Sequence, residues 1–230
     1  MSIMAPQTFT VLLSFGLLII MLAFMSKIIK KSNPLKITSN KQNLIELFFA
    51  FFEGIVEDIV GKKYIKKFTP LAITIFTSIL LTNIAGLVGL KEGAFANPMY
   101  TFTWSISMFL FWNIYGIHVI GIKAFLGDFI KPFAFMLPLE IIGFLTKPIS
   151  MGFRLFGNIS AGAVFMMLFW MIPEAILSMS TGLGVILAPI FITLGSVLSF
   201  YFSLFGPIIQ ALVFTYLTMV NIASLVGEEK

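Results

Sequence analysis

Long apolar runs separated by short polar segments dominate the pattern of this chain. A run of about 17–25 apolar residues is long enough for an α-helix to cross a bilayer. The pattern therefore predicts an all-α integral membrane protein with about five membrane helices. The predicted single membrane domain covers residues 1–230, with spans at 9–25, 68–90, 102–122, 133–172 and 188–226.

Segment 44–60 follows a different pattern. Glu46, Glu53 and Glu57 are seven and four residues apart, so they share one face of a helix that is otherwise mostly apolar. Such a segment is typical of an amphipathic helix lying in the membrane interface. The simpler interpretation of the glutamates is a solvated acidic face with no further role.

The last two apolar runs are longer than a simple span needs. Residues 139–171 as one helix would measure roughly 50 Å. The hydrocarbon core is about 30 Å thick and membrane helices tilt by up to about 40°. We therefore expect these two helices to bend, to break or to tilt steeply, and Pro189 and Pro207 would allow bending in the last one.

Composition and charge narrow the class of protein further. The chain is 59% hydrophobic and only 11% charged, whereas soluble domains carry about 25% charged residues. The net charge of +5 therefore predicts contact with anionic lipid and does not predict nucleic-acid binding. Nine lysines between Lys27 and Lys67 predict that this region is cytoplasmic, with the N-terminus outside and the C-terminus cytoplasmic. The alternative is the matrix or stromal side of a mitochondrial inner or thylakoid membrane.

Few residue types suited to enzyme or metal chemistry are present. The chain has no cysteine and one histidine, His118, which we expect to be an interfacial or satisfied side chain. Phosphate loops, nucleophile elbows and HExxH motifs are absent from the sequence. We expect no catalytic site, no cofactor and no metal.

Arg154 is the only arginine, and no other charged residue occurs between Ile149 and Met171. A charge at the centre of a membrane helix costs about 2.5–3.5 kcal/mol on insertion scales. Arginine does not escape this cost by losing its proton. Arg154 is therefore the first candidate for a functional residue, and the alternative is an arginine that snorkels to the interface near Lys147.

Other polar residues share the helical face of Arg154. Glu140 and Lys147 precede it by fourteen and seven residues, and Asn158 follows it by four. Small residues beside this polar face, including Gly157, would let another helix approach closely. The alternatives are packing within the chain for the small residues, a Glu140–Lys147 pair, and a cap on a backbone kink for Asn158.

The last apolar run supplies a second polar line. Ser203 and Gln210 are seven residues apart and share a face, with Tyr201 nearby. A buried glutamine in lipid usually hydrogen-bonds across a helix pair. Asn83 near the outer end of the second span is ambiguous between packing and function.

Four segments carry a resemblance to a known family. Residues 147–158, with Ala161 and Gly162 after them, closely resemble the signature of subunit a of bacterial F-type ATP synthases. Segments 82–87, 137–140 and 210–214 resemble other parts of the same family, in the same order. The resemblance covers nearly the whole chain.

The resemblance implies a non-enzymatic subunit that translocates H⁺ or Na⁺ in the bacterial plasma membrane. The implied partners are a ring of c subunits, the b-subunit peripheral stalk, the remainder of the ATP synthase and membrane lipid. The last two helices would form a long, near-horizontal hairpin along the ring. Arg154 would face the ring carboxylates and prevent ions from passing directly between two half-channels.

The resemblance also implies roles for individual residues. Glu140 and Asn158 would line the cytoplasmic half-channel, and Gln210 would lie near Arg154 and help orient it. Many family members carry an ionisable residue at the position of Ala163, and often another at that of Ser203; both are non-ionisable here. The outer half-channel would then use other groups, for which the candidates are Ser203, Ser160, Tyr201 and Asn83.

One alternative function remains at this point. Arg154 would serve a stand-alone channel or secondary transporter by binding an anionic substrate. Many transporters are built from internal repeats, and the sequence shows none.

Overall fold

The computed structural model describes residues 4–31, 40–87, 97–128, 135, 137–178 and 182–226. These residues form helices, and no strand occurs among them. The helices are α1 (Met4–Lys31), α2 (Asn40–Ile59), α3 (Ile65–Leu87), α4 (Pro98–Ile120), α5 (Ile122–Asp128), α6 (Leu137–Ser178) and α7 (Gly182–Val226). A 3-10 turn at Lys62–Tyr64 leads into α3.

Helix α4 has clear start and stop signals. The side chain of Asn97 accepts a hydrogen bond from the backbone N–H of Met99, and Pro98 occupies the first turn, where it has no backbone bond to break. Gly121 ends the helix with φ of 83°, a conformation that costs glycine little. The chain can therefore turn sharply into α5.

Helix α3 is the most enclosed of the long apolar helices. Its Ile79 is fully buried, and the ring of Phe76 lies 5.1 Å from that of Phe52 on α2. On the α1 side, the Thr82 hydroxyl donates to the Ser14 hydroxyl at 3.1 Å. One face of α2, which corresponds to the predicted interfacial helix, therefore packs against the core of the protein.

Helix α4 packs against the first half of α6 and the last turns of α7. The rings of Phe109 and Phe144 are 4.7 Å apart. A Cβ at Gly116 would lie 2.8 Å from a methyl carbon of Leu225, so glycine is what allows α4 and α7 to approach here. These contacts fix where α6 and α7 lie against the helical core.

Helices α6 and α7 pack against each other in antiparallel directions. Gly162 of α6 faces Phe202 of α7, and further along α6 Phe169 faces Gly195. The helices contain 42 and 45 residues, which corresponds to roughly 63 and 68 Å. Both exceed the thickness of the hydrocarbon core by about twofold, as the sequence predicted, and both are continuous.

The structure corrects the predicted end of the fourth apolar run at residue 172. Helix α6 continues through Pro173 to Ser178. Proline removes one backbone hydrogen bond, but membrane helices tolerate it where neighbouring groups compensate. Pro173 is buried, and Phe169 and Trp170 just before it pack on Gly195.

Two polar segments are also more helical than predicted. Helix α1 continues past the predicted end of the first span at residue 25 to Lys31. Helix α5 forms between the predicted third and fourth spans, where the sequence assigned no helix. The pair Asn33-Pro34 favours a turn, but it lies outside the described residues. So do residues 88–90 of the predicted second span and residues 133, 134 and 136 of the predicted fourth span.

Membrane-spanning character is clearest in three helices of the described chain. Lys62–Ile84, Leu137–Ile176 and Leu187–Val226 are long and apolar enough to cross a bilayer, and α1 contributes a shorter apolar stretch, Val11–Ala23. The protein is therefore an all-helical membrane protein. The count of five spans stays a prediction.

Candidate functional site

Arg154 lies near the middle of α6 and its side chain is exposed. In the part of the chain that the structure describes, the one ion pair is Lys62–Glu57 at 3.3 Å, far from Arg154 in sequence. No carboxylate of the described residues therefore neutralises the guanidinium. An unpaired charge on an apolar helix calls for a counter-charge from elsewhere.

Two side-chain amides join α6 to α7 at this level. Gln210 Nε2 donates to the backbone carbonyl of Arg154 at 3.2 Å. One helical turn further, Asn158 Nδ2 donates to the backbone carbonyl of Gly206 at 3.3 Å. The structure thus brings Gln210, Arg154 and Asn158 together. Asn158 bonds to the facing helix, where the sequence left open a cap on a kink.

The face of α6 around Arg154 includes several small residues. Ser150, Gly157 and Ala161 lie four residues before, three after and seven after Arg154, and therefore on its side of the helix. Ser150 and Ala161 are exposed. A Cβ at Gly157 would meet no atom within 4 Å. These three positions therefore leave space on the surface of α6.

Other small residues of α6 pack inside the protein. A Cβ at Gly152 would lie 2.7 Å from the ring of Phe102 on α4. Gly162 faces Phe202 of α7 at 3.6 Å. Gly157 and Ala161 thus leave room for another helix, whereas Gly152 and Gly162 pack within the chain.

Helix α4 also contacts α6 shortly before Arg154. The hydroxyl of Ser105, a fully buried residue, donates to the backbone carbonyl of Pro148. Sequence reasoning missed Ser105 and Phe102, because neither is charged and neither belongs to a periodic pattern. The sequence offers only a weak signal, a serine inside an apolar helix.

Glu140 and Lys147 are both exposed. No ion pair joins them in the described part of the chain, so the predicted alternative of a Glu140–Lys147 pair finds no support. Glu140 lies fourteen residues before Arg154, which is about 21 Å along the helix axis. The two residues therefore occupy different depths of the molecule.

The candidates for the outer half-channel lie in two places. Ser160 and Ser203 are half-buried on α6 and α7, about 9–10 Å along the hairpin from the Arg154–Gln210 contact. Tyr201 is exposed, with its ring stacked on Phe205 at 5.3 Å. Asn83, on α3, donates to the Ile79 carbonyl of its own helix at 2.9 Å.

Comparison with known proteins decides the family. The family model described as ATP synthase A chain matches residues 9–223. The chain is 30% identical to ATP synthase subunit a of Moorella thermoacetica over 210 residues, which is 90% of this chain and 87% of that protein. It is 33% identical to ATP synthase subunit a of Enterococcus hirae over 202 residues, covering 84% and 81% of the two chains. The chain belongs to the ATP synthase subunit a family.

The chain is also 30% identical to ATP synthase subunit a of Bacillus subtilis over 200 residues, covering 82% of this chain and 80% of that protein. The resemblance seen in the sequence is therefore confirmed. Subunit a is a non-catalytic membrane-sector subunit, so this chain is a component of an ATP synthase complex and is not itself an enzyme. Its bacterial relatives and apolar helices indicate the plasma membrane. Membership of this family leaves the stand-alone transporter without support.

Proposed function

We propose that this subunit a conducts H⁺ or Na⁺ through two half-channels beside a ring of c subunits, and that Arg154 faces the ring carboxylates. One observation carries the proposal: an exposed guanidinium on an apolar helix has no carboxylate partner among the described residues. Leaving such a charge unpaired in lipid is costly. Carboxylates presented by a neighbouring ring would remove that cost.

The shape of α6 supports a close approach by such a ring. Ser150, Gly157 and Ala161 provide small side chains on the turns of α6 before and after Arg154. Small residues let helix backbones come close together within a membrane. A helix of the ring would bring its carboxylate to the guanidinium without a large side chain in the way.

The electrostatic consequence is the release of the bound ion. Two unit charges about 4 Å apart attract by about 4 kcal/mol at an effective dielectric constant of about 20. This attraction favours the ionised form of a ring carboxylate that arrives next to Arg154. The carboxylate then gives up its ion into one half-channel and takes another from the second half-channel after leaving Arg154.

The same charge prevents a short circuit. A fixed positive charge between the half-channels repels a cation that would pass directly from one to the other. Ions must then travel with the ring, and its rotation drives ATP synthesis in the rest of the complex. The membrane potential supplies about 2.3 kcal/mol per charge for each 100 mV.

Further side chains have proposed places along this route. Glu140 and Asn158 line the cytoplasmic half-channel, and Gln210 supports Arg154 from α7. Since Ala163 cannot ionise, the outer half-channel relies on hydroxyl and amide groups with water. The candidates are Ser160, Tyr201, Ser203 and Asn83.

The proposed orientation follows from the lysines. The basic region between Lys27 and Lys67 lies in the cytoplasm, as does the C-terminus, and the N-terminus lies outside. The long α6–α7 hairpin runs at a steep tilt along the c ring. The b-subunit stalk holds the subunit in place so that the ring turns against it.

Replacing the arginine tests this proposal. Arg154→Ala should abolish ion-driven ATP synthesis and ATP-driven ion pumping in membrane vesicles, because no charge remains to discharge the ring carboxylates. The amount of assembled complex, measured on native gels, should change little. Lys147→Ala is the matched control, since it removes another exposed cation on the same polar face of α6 and should leave pumping near the unmodified level. Coupled synthesis at a normal rate in Arg154→Ala would falsify the proposal.

A further inference from the structure

Helix α6 has a weak point shortly before Arg154. Pro148 lies inside the helix and has no N–H with which to continue the backbone ladder, so bending is easiest there. Arg154 is six residues further on, which is about 9 Å. A change of about 20° in the bend at Pro148 would move the Arg154 backbone by roughly 3 Å. The angle of α6 at Pro148 therefore determines where Arg154 is presented.

Helix α4 contacts α6 on both sides of the turn that follows Pro148. The Ser105 hydroxyl donates to the Pro148 carbonyl. One turn away, the ring of Phe102 fills the space that Gly152 leaves, so tightly that an added Cβ would lie 2.7 Å from a ring carbon. Ser105 and Phe102 are three residues apart on α4, and Pro148 and Gly152 four apart on α6, so the two contacts match in spacing.

The hydrogen bond of Ser105 differs from those of other hydroxyls nearby. Thr101 and Thr103 on the same helix, and Thr146 on α6, bond to carbonyls of their own helices at 2.6–2.9 Å. Such local bonds are the usual choice of serine and threonine in a helix. Ser105 instead bonds to the backbone of another helix while fully buried.

We propose that Ser105 is a positioning residue for Arg154, fixing the angle of α6 at Pro148 through its hydrogen bond to the Pro148 carbonyl. Phe102 against Gly152 supports the same turn of α6 from the same side. Asn158 and Gln210 hold the segment from the α7 side, so α6 is fixed from two helices around the arginine. This inference rests on the proposed role of Arg154 as the charge that faces the ring.

The test compares Ser105→Ala with a matched serine on the same helix. Ser107→Ala removes an exposed hydroxyl of α4 and leaves the contact with Pro148 intact. Membrane vesicles carrying the assembled ATP synthase are assayed for ions pumped per ATP hydrolysed. They are also assayed for passive ion leak after removal of the catalytic sector. Both readouts are expressed per assembled complex, so that a loss of assembly does not count as a loss of coupling.

Loss of one buried hydrogen bond should change the ratio of the correct helix angle to other angles by about three- to tenfold. We therefore expect Ser105→Ala to lower the number of ions pumped per ATP by up to severalfold and to raise the leak, with Ser107→Ala unchanged. Normal coupling in Ser105→Ala, or a loss that only follows the amount of complex, overturns the inference. Arg154→Ala in the same vesicles separates the two proposals. If it is uncoupled while Ser105→Ala is normal, only the positioning role fails, and if it stays coupled, the proposed function fails.

A second pair of variants decides the matter if Ser105→Ala does not assemble. Gly152→Ala pushes on Phe102 and should displace the same turn of α6, with loss of coupling. Phe102→Leu in the Gly152→Ala background makes room again and should restore at least half of the coupling. Failure of this double variant to recover, with complex present at normal levels, overturns the inference.

Discussion

At the scale of single residues, the amides near Arg154 donate to backbone carbonyls and do not contact its guanidinium. Gln210 bonds to the Arg154 carbonyl, not to the guanidinium. The spacing in the sequence predicted that Arg154 and Asn158 share one helical face, and the family resemblance implied that Gln210 lies near Arg154. It did not predict which atoms meet, since these depend on how closely α6 and α7 pack.

The contact of Gln210 with Arg154 leads to a graded prediction. Gln210→Ala removes one hydrogen bond, worth about 0.5–1.5 kcal/mol, and leaves the guanidinium in place. ATP-driven pumping should therefore fall about two- to tenfold without being lost, as measured by ion uptake into vesicles. Asn221→Ala is the control, because the Asn221 amide bonds to the Leu217 carbonyl of its own helix. An effect of equal size in both variants would make Gln210 an ordinary packing residue.

At the scale of helices, apolar length is well predicted from the sequence and helix ends are not. The excess length of α6 and α7 follows directly from two apolar runs that no charged segment interrupts. The continuation of α6 through Pro173 depends on its packing against α7, which no local pattern reveals. Similarly, α1 extends into its lysines because nothing before Pro34 disfavours helix.

The packing of α7 on α6 can be tested at Gly195. A Cβ there would lie 2.8 Å from the Phe169 ring and 3.0 Å from that of Trp170. Gly195→Ala should therefore destabilise the hairpin by about 1–3 kcal/mol, seen as a lower unfolding temperature of the purified chain in detergent. Gly143→Ala is the control, since a Cβ there meets no atom within 4 Å. Equal stability of the two variants would show that α6 and α7 separate more easily at Gly195 than this geometry indicates.

At the scale of the whole molecule, the long helices are enclosed to very different degrees. In α3, 61% of the most apolar segment is buried within the protein, against 11% of that segment in α6 and 17% in α7. Hydropathy cannot reveal this difference, because helices facing lipid, a partner subunit or the protein core are all apolar in sequence. Among these three helices α6 is therefore the least buried, and the exposed Arg154 lies on it.

This difference in burial predicts that α6 is the helix that contacts the ring of c subunits. The chain contains no cysteine, so a single introduced cysteine is a clean probe. Ala161→Cys lies on the open face of α6, two turns after Arg154. It should form a disulfide with a cysteine placed in the c subunit about two turns from its carboxylate, detected on non-reducing gels. Leu12→Cys on α1 is equally available, since Leu12 is 70% exposed, but it should form none. Cross-linking at Leu12 and not at Ala161 would place the ring against α1 and remove Arg154 from the ion path. The reverse result would tie the exposed face of α6 to the rotor, because disulfides form only when the two Cβ atoms approach within about 4.5 Å.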